Sequence, residues 1–463
     1  MLKIYNTLEK KKEYFYNIEN TIKIYVCGVT VHDYCHIGHA RIFIFFDFVI
    51  RYFKTLNYKI IFVRNITDID DKIINKALIK KTSTKKISEK YTYKMYADLK
   101  KLNIIEPTFE PKATNFVKNM IEIINKLKIK NYAYKGYNND IYYNISKNKN
   151  YGNLSNKNLI RVMPVNRIKI NNNKKSNLDF ALWKISNTKK NSWKSPWGIG
   201  RPGWHTECVA MSYYYFKKTI DIHGGGKDLL FPHHENELAQ YKSINNKNLA
   251  KIWMHIGFVN IKNTKMSKSL KNSISIKRMV KNIHEEYLRF FMLSTHYKKN
   301  IEYSENNIDK AKHSLNNLYK SLTKAETKQT LLNTINKISK TKLEVDFYNA
   351  INNDFNSPKA LAILFQIADE INKSKDYNEK NEFITLLKHL GNILGILKER
   401  PTTFLNINNR NIKNIKRIEK LIHKRNVARK LKNWTLADNI RNKLKKLNVQ
   451  LKDNKIEIFL KEI

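Results

Sequence analysis

A short run, Ile22 to Val26, ends at Cys27-Gly28 and gives way to Ile42, Phe45, Phe46, Val49, Ile50 and Phe53 at helical spacing. This reads as a buried strand, a loop and a helix. Lys59 to Val63 supplies a second short strand, followed by the acidic turn Thr67-Asp68-Ile69-Asp70-Asp71 and renewed helical periodicity. The β-α-β-α alternation predicts a doubly wound α/β domain of Rossmann type with a parallel sheet.

From about 125 to 196 the text turns rich in Asn, Lys and Tyr, with short alternating runs such as Asp140-Ile141-Tyr142-Tyr143, as expected of a small inserted domain. The α/β pattern then resumes. Thr219 to His223 reads as a strand ending at Gly224-Gly225-Gly226, and Pro232 suits the first turn of the next helix. From about Asn306 onward helical periodicity runs without strands through Leu315, Leu318, Leu322, Leu361, Leu364 and Ile367, predicting a helix bundle. After a break near Pro401, Arg425, Arg429, Lys430, Lys432 and Arg441 line a basic helical pair around Trp434, which fits either nucleic acid or solvent.

At 463 residues the chain has room for several domains. Its net charge of +47 favours a polyanionic partner, although Lys, Asn and Ile enrichment in loops such as 170–175 assigns part of that charge to biased composition. Three cysteines cannot form a disulfide framework in so long a chain, which points to a reducing cytosol. The start, Met1 to Asn6, has no apolar export segment, and the greasy stretch Ile42 to Phe46 is interrupted at Asp47, so neither export nor membrane spanning is expected.

Two motifs carry phosphate chemistry. His36-Ile37-Gly38-His39 falls between the first strand and first helix, where backbone N–H groups and the helix dipole favour anions. Gly38 lets a nucleotide approach the backbone, and the imidazoles of His36 and His39 can donate to an α-phosphate in its transition state. Lys265-Met266-Ser267-Lys268-Ser269 places two ammonium groups, Lys265 and Lys268, where they can offset charge on a pyrophosphate leaving group.

Between these motifs lie candidate zinc ligands. His233 and Glu237 are four residues apart, hence on one face of a helix, and Cys27 and Cys208 supply soft thiolates. Two sulfurs, an imidazole and a carboxylate suit zinc better than magnesium or calcium. Cys35 has no ligand spacing and is expected to be a packed thiol, while His234 and Glu235 point to other faces of the helix. Together the motifs suggest an adenylate-forming enzyme with a metal reader.

Two pattern matches fail. Gly198-Ile199-Gly200-Arg201-Pro202-Gly203 satisfies G-x-G-x-x-G, yet no strand precedes it and Pro202 removes an N–H where the dinucleotide loop would begin its helix. Gly224-Gly225-Gly226-Lys227 is followed by Asp228 instead of Ser or Thr, so it is no Walker-type loop.

Four blocks, 25–33, 64–72, 201–205 and 231–237, together with the two phosphate motifs, resemble the cysteinyl-tRNA synthetases, a class I aminoacyl-tRNA synthetase family, over essentially the whole chain. The resemblance implies a catalytic Rossmann domain in two halves, 1–125 and 196–255, split by a connective insertion at 126–195. It further implies a stem-contact region at 256–310, a helical bundle at 311–400 and an anticodon-binding domain at 401–463. It implies that Cys27, Cys208, His233 and Glu237 hold one Zn2+, that Thr67, Trp204 and His223 border a cysteine pocket with Cys27, and that Asp228 faces the nucleoside, joining Gly38 and Lys268 as the ATP-binding residues. The expected activity is cysteine–tRNA ligase. L-Cysteine and Mg2+-ATP would give cysteinyl-adenylate, then cysteine would pass to tRNA(Cys), in a cytoplasmic monomer. Zinc would favour a thiol over the nearly isosteric serine hydroxyl, which an apolar pocket rejects only about a hundredfold. Lys271 and Lys227 depart from the family's usual residues, and 452–459 departs from its usual ending. Rival readings are a cysteine-adenylating ligase acting on a small amine and a non-catalytic RNA-binding relative.

Overall fold

The computed structural model describes residues 1–157, 173–186, 188, 190–266, 270, 272–323, 341–407, 421, 423–429, 433–446, 449–452 and 455–460. Two compact units divide the chain, Met1–Lys398 and Glu399–Ile463. The first is built on four strands, β1 (Thr21–Thr30), β2 (Lys59–Thr67), β3 (Ile220–Gly226) and β4 (Ala250–Ile256). All pair in parallel, in the order β4-β3-β1-β2. The chain winds from β1 to β2, then returns to the other side of β1 for β3 and β4. That reversal opens a crevice at the carboxyl ends of β1 and β3, where sheets of this kind bind ligands.

Helix α1 (Ile37–Thr55) carries more apolar surface than one face can hold, because it is covered on several sides. Phe46 fits against Gly224 of the sheet, where a Cβ would stand 2.0 Å from its ring. Phe45 stacks on Tyr297 at 4.5 Å between centroids, and Phe48 and Phe53 meet Phe355 edge-on. The buried Asp47 carboxylate inside this apolar helix is compensated by Arg289, by Arg51 one turn on and by the Ile105 N–H.

The sheet departs from the sequence reading at two places. β3 runs through all three glycines instead of ending at them, since their backbone pairs with Met254 to Ile256 of β4 while side chains there would strike Phe46, His234 and Asp228. Pro232 does stand in the first turn after the extended Phe231, but that turn is irregular. Leu230–His234 forms an irregular turn with Phe231 extended, and regular helix α3 begins at Glu235 and runs to Asn245.

An antiparallel sheet of Ala133–Lys135, Ile141–Tyr143, Phe180–Ile185 and Gly200–Pro202 interrupts the parallel one and leads directly into helix α2 (Trp204–Phe216). After β4, Val259–Ile261 pairs with Thr264–Lys265 and with Ile301–Tyr303. Helices Glu305–Thr323, Lys342–Asn352, Ser357–Lys373 and Tyr377–Leu394 follow, and the predicted bundle residues Leu315, Leu318, Leu322, Leu361, Leu364 and Ile367 are buried.

The second unit contains helices Pro401–Ile407 and Trp434–Lys446, a helical stretch at 423–429, and a closing hairpin, Val449–Lys452 with Lys455–Leu460. This hairpin contradicts the expectation of strand-free text beyond 306. Its second strand has the period-two pattern Ile456, Ile458, Leu460, a signal overlooked amid the charge. Lys430 and Lys432 lie outside the described residues. No described helix is long and apolar enough to cross a membrane.

Candidate active site and metal centre

The site begins with a fault in the sheet. Pairing of β1 with β2 shifts register between Val26 and Val29, a bulge that re-aims the side chains around Cys27-Gly28. Gly28 is required there, because a Cβ would stand 1.6 Å from the Asn65 carbonyl oxygen, and its N–H donates to Asn65 Oδ1 at 2.8 Å.

Cys27 meets Cys208 from α2, His233 from the irregular turn and Glu237 from the first turn of α3. Sγ of Cys27 lies 3.5 Å from Sγ of Cys208 and 3.3 Å from Oε1 of Glu237. Nε2 of His233 lies 3.6 Å from Cys208 Sγ and 2.8 Å from Glu237 Oε1. All four residues are buried, with one donor atom apiece inside a 4.8 Å span. A tetrahedral zinc with Zn–S of about 2.3 Å and Zn–N of about 2.0–2.1 Å has ligand–ligand edges of roughly 3.3–3.8 Å, so three of these four distances already match and small movements complete the set.

The electrostatics also fit a cation. Burial would raise the Glu237 carboxyl, but His223 and His233 outweigh it and hold the group well below its ordinary value, so it is ionised. Burial pushes the Cys27 thiol up, whereas hydrogen bonding from Cys27 and His233 overcomes burial at Cys208 and brings it to about 7. His233 is oriented through its other nitrogen, Nδ1, 3.0 Å from Nδ1 of His205, which takes the place of the carboxylate or carbonyl that more often holds a metal-binding imidazole. Burial depresses His205 to about 3, keeping it neutral.

Outward from this cluster lies a cavity of about 390 Å³ whose wall includes Cys27, Trp204, His36, Gly38, His39, Asp228 and Lys265. Through Cys27 it thus joins the buried donor cluster to the phosphate motifs. His36 and His39 sit at the start of α1 with rings stacked 3.7 Å apart. The His36 N–H donates to Nδ1 of His39 at 3.2 Å, which leaves the proton of a neutral His39 ring on Nε2. Nζ of Lys265 stands 3.9 Å from Asp228 Oδ2 and 4.1 Å from the Phe258 ring centre. Met266 is buried, its methyl carbon 3.3 Å from where a Cβ on Gly38 would lie, so the two motifs touch. Ser267, Lys268, Ser269 and Lys271 lie outside the described residues.

Thr67 and His223 are fully enclosed behind this wall. Thr67 Oγ1 donates to Glu207 at 2.8 Å and accepts from Asn65 Nδ2 at 3.2 Å. His223 Nε2 contacts Glu237 at 2.7 Å, with its ring stacked on Trp253. Trp204 packs on the His233 ring at 4.2 Å. Cys35 is buried and belongs to neither group of donors able to share an ion, as expected of a packed thiol. Glu235 turns away to accept the Gly152 and Ser155 N–H groups, while His234 contacts His255 at 2.8 Å and has a donor atom near Cys27, His223 and Glu237. Sequence reasoning gives no role to Asn65, Glu207, His255 or Arg41; the available signal is polarity inside text that otherwise reads as buried strand or helix.

The family model for the tRNA synthetases class I (C) catalytic domain matches residues 15–313, and that for the DALR domain matches 346–398. The cysteine–tRNA ligase of Buchnera aphidicola subsp. Acyrthosiphon pisum is 46% identical over 98% of this chain and 97% of its own length. The chain belongs to the cysteine–tRNA ligase family. A second relative in that family, from Hydrogenovibrio crunogenus, is 43% identical over 98% of both chains. The fold also resembles Mycobacterium tuberculosis methionyl-tRNA synthetase bound by methionyl-adenylate, with a TM-score of 0.57 over 81% of this chain and 90% of that one, at 13% identity. The match to these relatives covers 98% of the chain and so spans both compact units.

Proposed function

We infer that this cysteine–tRNA ligase activates L-cysteine with Mg2+-ATP and passes it to the 3′ end of tRNA(Cys), using Cys27, Cys208, His233 and Glu237 to hold one Zn2+ at the amino-acid end of its site. The observation that carries this reading is that the buried donor cluster abuts the cavity lined by both phosphate motifs. Zinc bound there would supply a soft Lewis acid that lowers the pKa of a coordinated thiol and binds an alcohol poorly.

The protein's own groups divide the remaining work. Trp204 and Cys27 form the wall beside the amino acid, and Glu207, Thr67 and Asn65 form a hydrogen-bonded chain that fixes the bulge behind it. The substrate carboxylate is ionised at neutral pH and attacks the α-phosphorus without a general base. A carboxylate oxygen bonds to phosphorus as the bond to the bridging oxygen breaks and pyrophosphate leaves. His39, which carries its ring proton on Nε2, and His36 stabilise charge on the α-phosphate, while Lys265 and Lys268 offset charge on the leaving group. Asp228 and Gly38 flank the nucleoside side of the cavity. In the second step a terminal ribose hydroxyl of tRNA attacks the carbonyl carbon and AMP departs. The enzyme acts as a cytoplasmic monomer.

Cysteine-dependent ATP–pyrophosphate exchange followed by charging of tRNA(Cys) tests this function. Both activities, with serine giving neither, are expected. Exchange without charging would indicate a small-amine ligase, and no exchange would leave only a binding protein.

A further inference from the structure

Arg41 lies on α1, two residues past the first phosphate motif, and is 2% exposed. Among the described residues it has no carboxylate within ion-pair distance. Its guanidinium instead donates to four backbone carbonyls: Nη1 to Gly257 at 3.0 Å and Phe258 at 2.7 Å, Nη2 to His296 at 3.3 Å and Lys299 at 2.5 Å. A buried cation without a counter-ion is costly, and four carbonyls reached from one planar fork are an arrangement that lysine cannot reproduce.

These carbonyls belong to two segments that cross just beyond β4. Gly257 and Phe258 leave the sheet toward Val259–Ile261, and 296–299 leads into its partner strand Ile301–Tyr303. The crossing is tight, since a Cβ on Gly257 would lie 2.3 Å from the Lys299 carbonyl oxygen. Gly257 and Phe258 also line the cavity, the Phe258 ring supports the Lys265 ammonium, and Lys265 pairs with Asn260 on the adjoining strand. Arg41 therefore links the start of α1 to the ground on which Lys265 stands.

We propose that Arg41 is a positioning residue for adenylate formation: by gripping the Gly257 and Phe258 carbonyls from the helix that begins at His36 and His39, it sets the placement of Lys265 against those imidazoles. The inference rests on the ligase reading above. Arg289 offers an internal control. It is equally buried and also bonds backbone carbonyls, those of Leu394 and Leu102, but its other partner is Asp47, and none of these three lines the cavity.

The test is a double-mutant cycle on full-length enzyme, with exchange rates normalised to active sites by adenylate burst. Arg41→Lys is expected to lower kcat/KM for ATP by about tenfold while KM for cysteine stays within about twofold. In a Lys265→Ala background the same change is expected to cost less than about twofold, because the group it positions is gone. Arg289→Lys should lower Tm and leave both KM values in place. Equal loss for ATP and cysteine, or an undiminished Arg41→Lys effect in the Lys265→Ala background, overturns the proposal. Should Arg41→Lys fail to fold, Arg41→Gln takes its place in the cycle, and additivity with Lys265→Ala overturns the proposal in the same way. Wild-type enzyme without cysteine-dependent exchange would refute the function itself, a separate result.

Discussion

At the inner end of the site, four donors from a bulged strand, two helices and an irregular turn meet in a buried cluster; at the mouth, the phosphate motifs present partly buried imidazoles and a lysine side chain 44% exposed. The inner end depends on the whole fold, because Cys27 and Glu237 are 210 residues apart and neither can be placed without β1, α2 and α3. At the mouth each motif rests on local backbone, a helix N-terminus and a short strand, and long-range contact through Arg41 sets only how the two face each other. A defect inside should therefore act as all-or-none loss of a ligand set, whereas a defect at the mouth should act as a graded loss of charge stabilisation.

The largest break in that contrast is Cys208→Ser. It is expected to abolish stoichiometric metal and to cut cysteine activation by more than about a hundredfold, beyond the loss typical when only an outer partner of a ligand is removed. ATP binding should persist, and metal analysis with equilibrium ATP binding checks both halves. Next, His39→Asn is expected to reduce kcat for exchange by about 10²–10³-fold, the scale for one transition-state donor, without loss of metal. Parallel loss of metal would mean that the two ends are not independent. Smaller again, Lys265→Met is expected to weaken kcat/KM for ATP by roughly tenfold, or about 1.4 kcal/mol, with cysteine binding unchanged.

Two buried carboxylates, the site's Glu237 and the remote Glu286, sharpen the comparison. Glu237 is held low by imidazoles, but Glu286, which accepts from Tyr319, Leu397 and Lys398, is pushed up by burial to about 7. A raised carboxyl binds its proton more tightly in the folded state, so this contribution is full below about pH 4.5 and is lost as pH rises through about 7. The window is worth up to about 3 kcal/mol. Thermal melts from pH 5 to 7 should show a shallower decline for Glu286→Gln than for wild type, at unchanged kcat; equal slopes would contradict this assignment.

Much of the site was legible because its parts are local. The strand at Ile22 to Val26, the helix after His36, and the i, i+4 pair His233 and Glu237 each follow from spacing, and the structure brings that pair to 2.8 Å even though His233 precedes the regular helix. What escaped depends on tertiary contact. Nothing near Arg41 in sequence announces carbonyls more than two hundred residues away, and Asn65 gains its role only because the bulge at Gly28 comes to rest against it. The glycine run at 224–226 reads as the end of a strand because its need for small residues comes from Phe46 and His234, which no local pattern reveals. In the second unit, the alternation of the final hairpin was masked by a lysine-rich composition that the whole chain shares.

The most direct test of the central claim replaces the metal with Co2+ and follows its visible and near-ultraviolet spectrum as amino acids are added. Two cysteine ligands should give a sulfur-to-cobalt charge-transfer band in the resting protein, and L-cysteine should strengthen it while L-serine leaves it unchanged. A spectrum indifferent to cysteine, or a protein that binds no cobalt, would contradict the account.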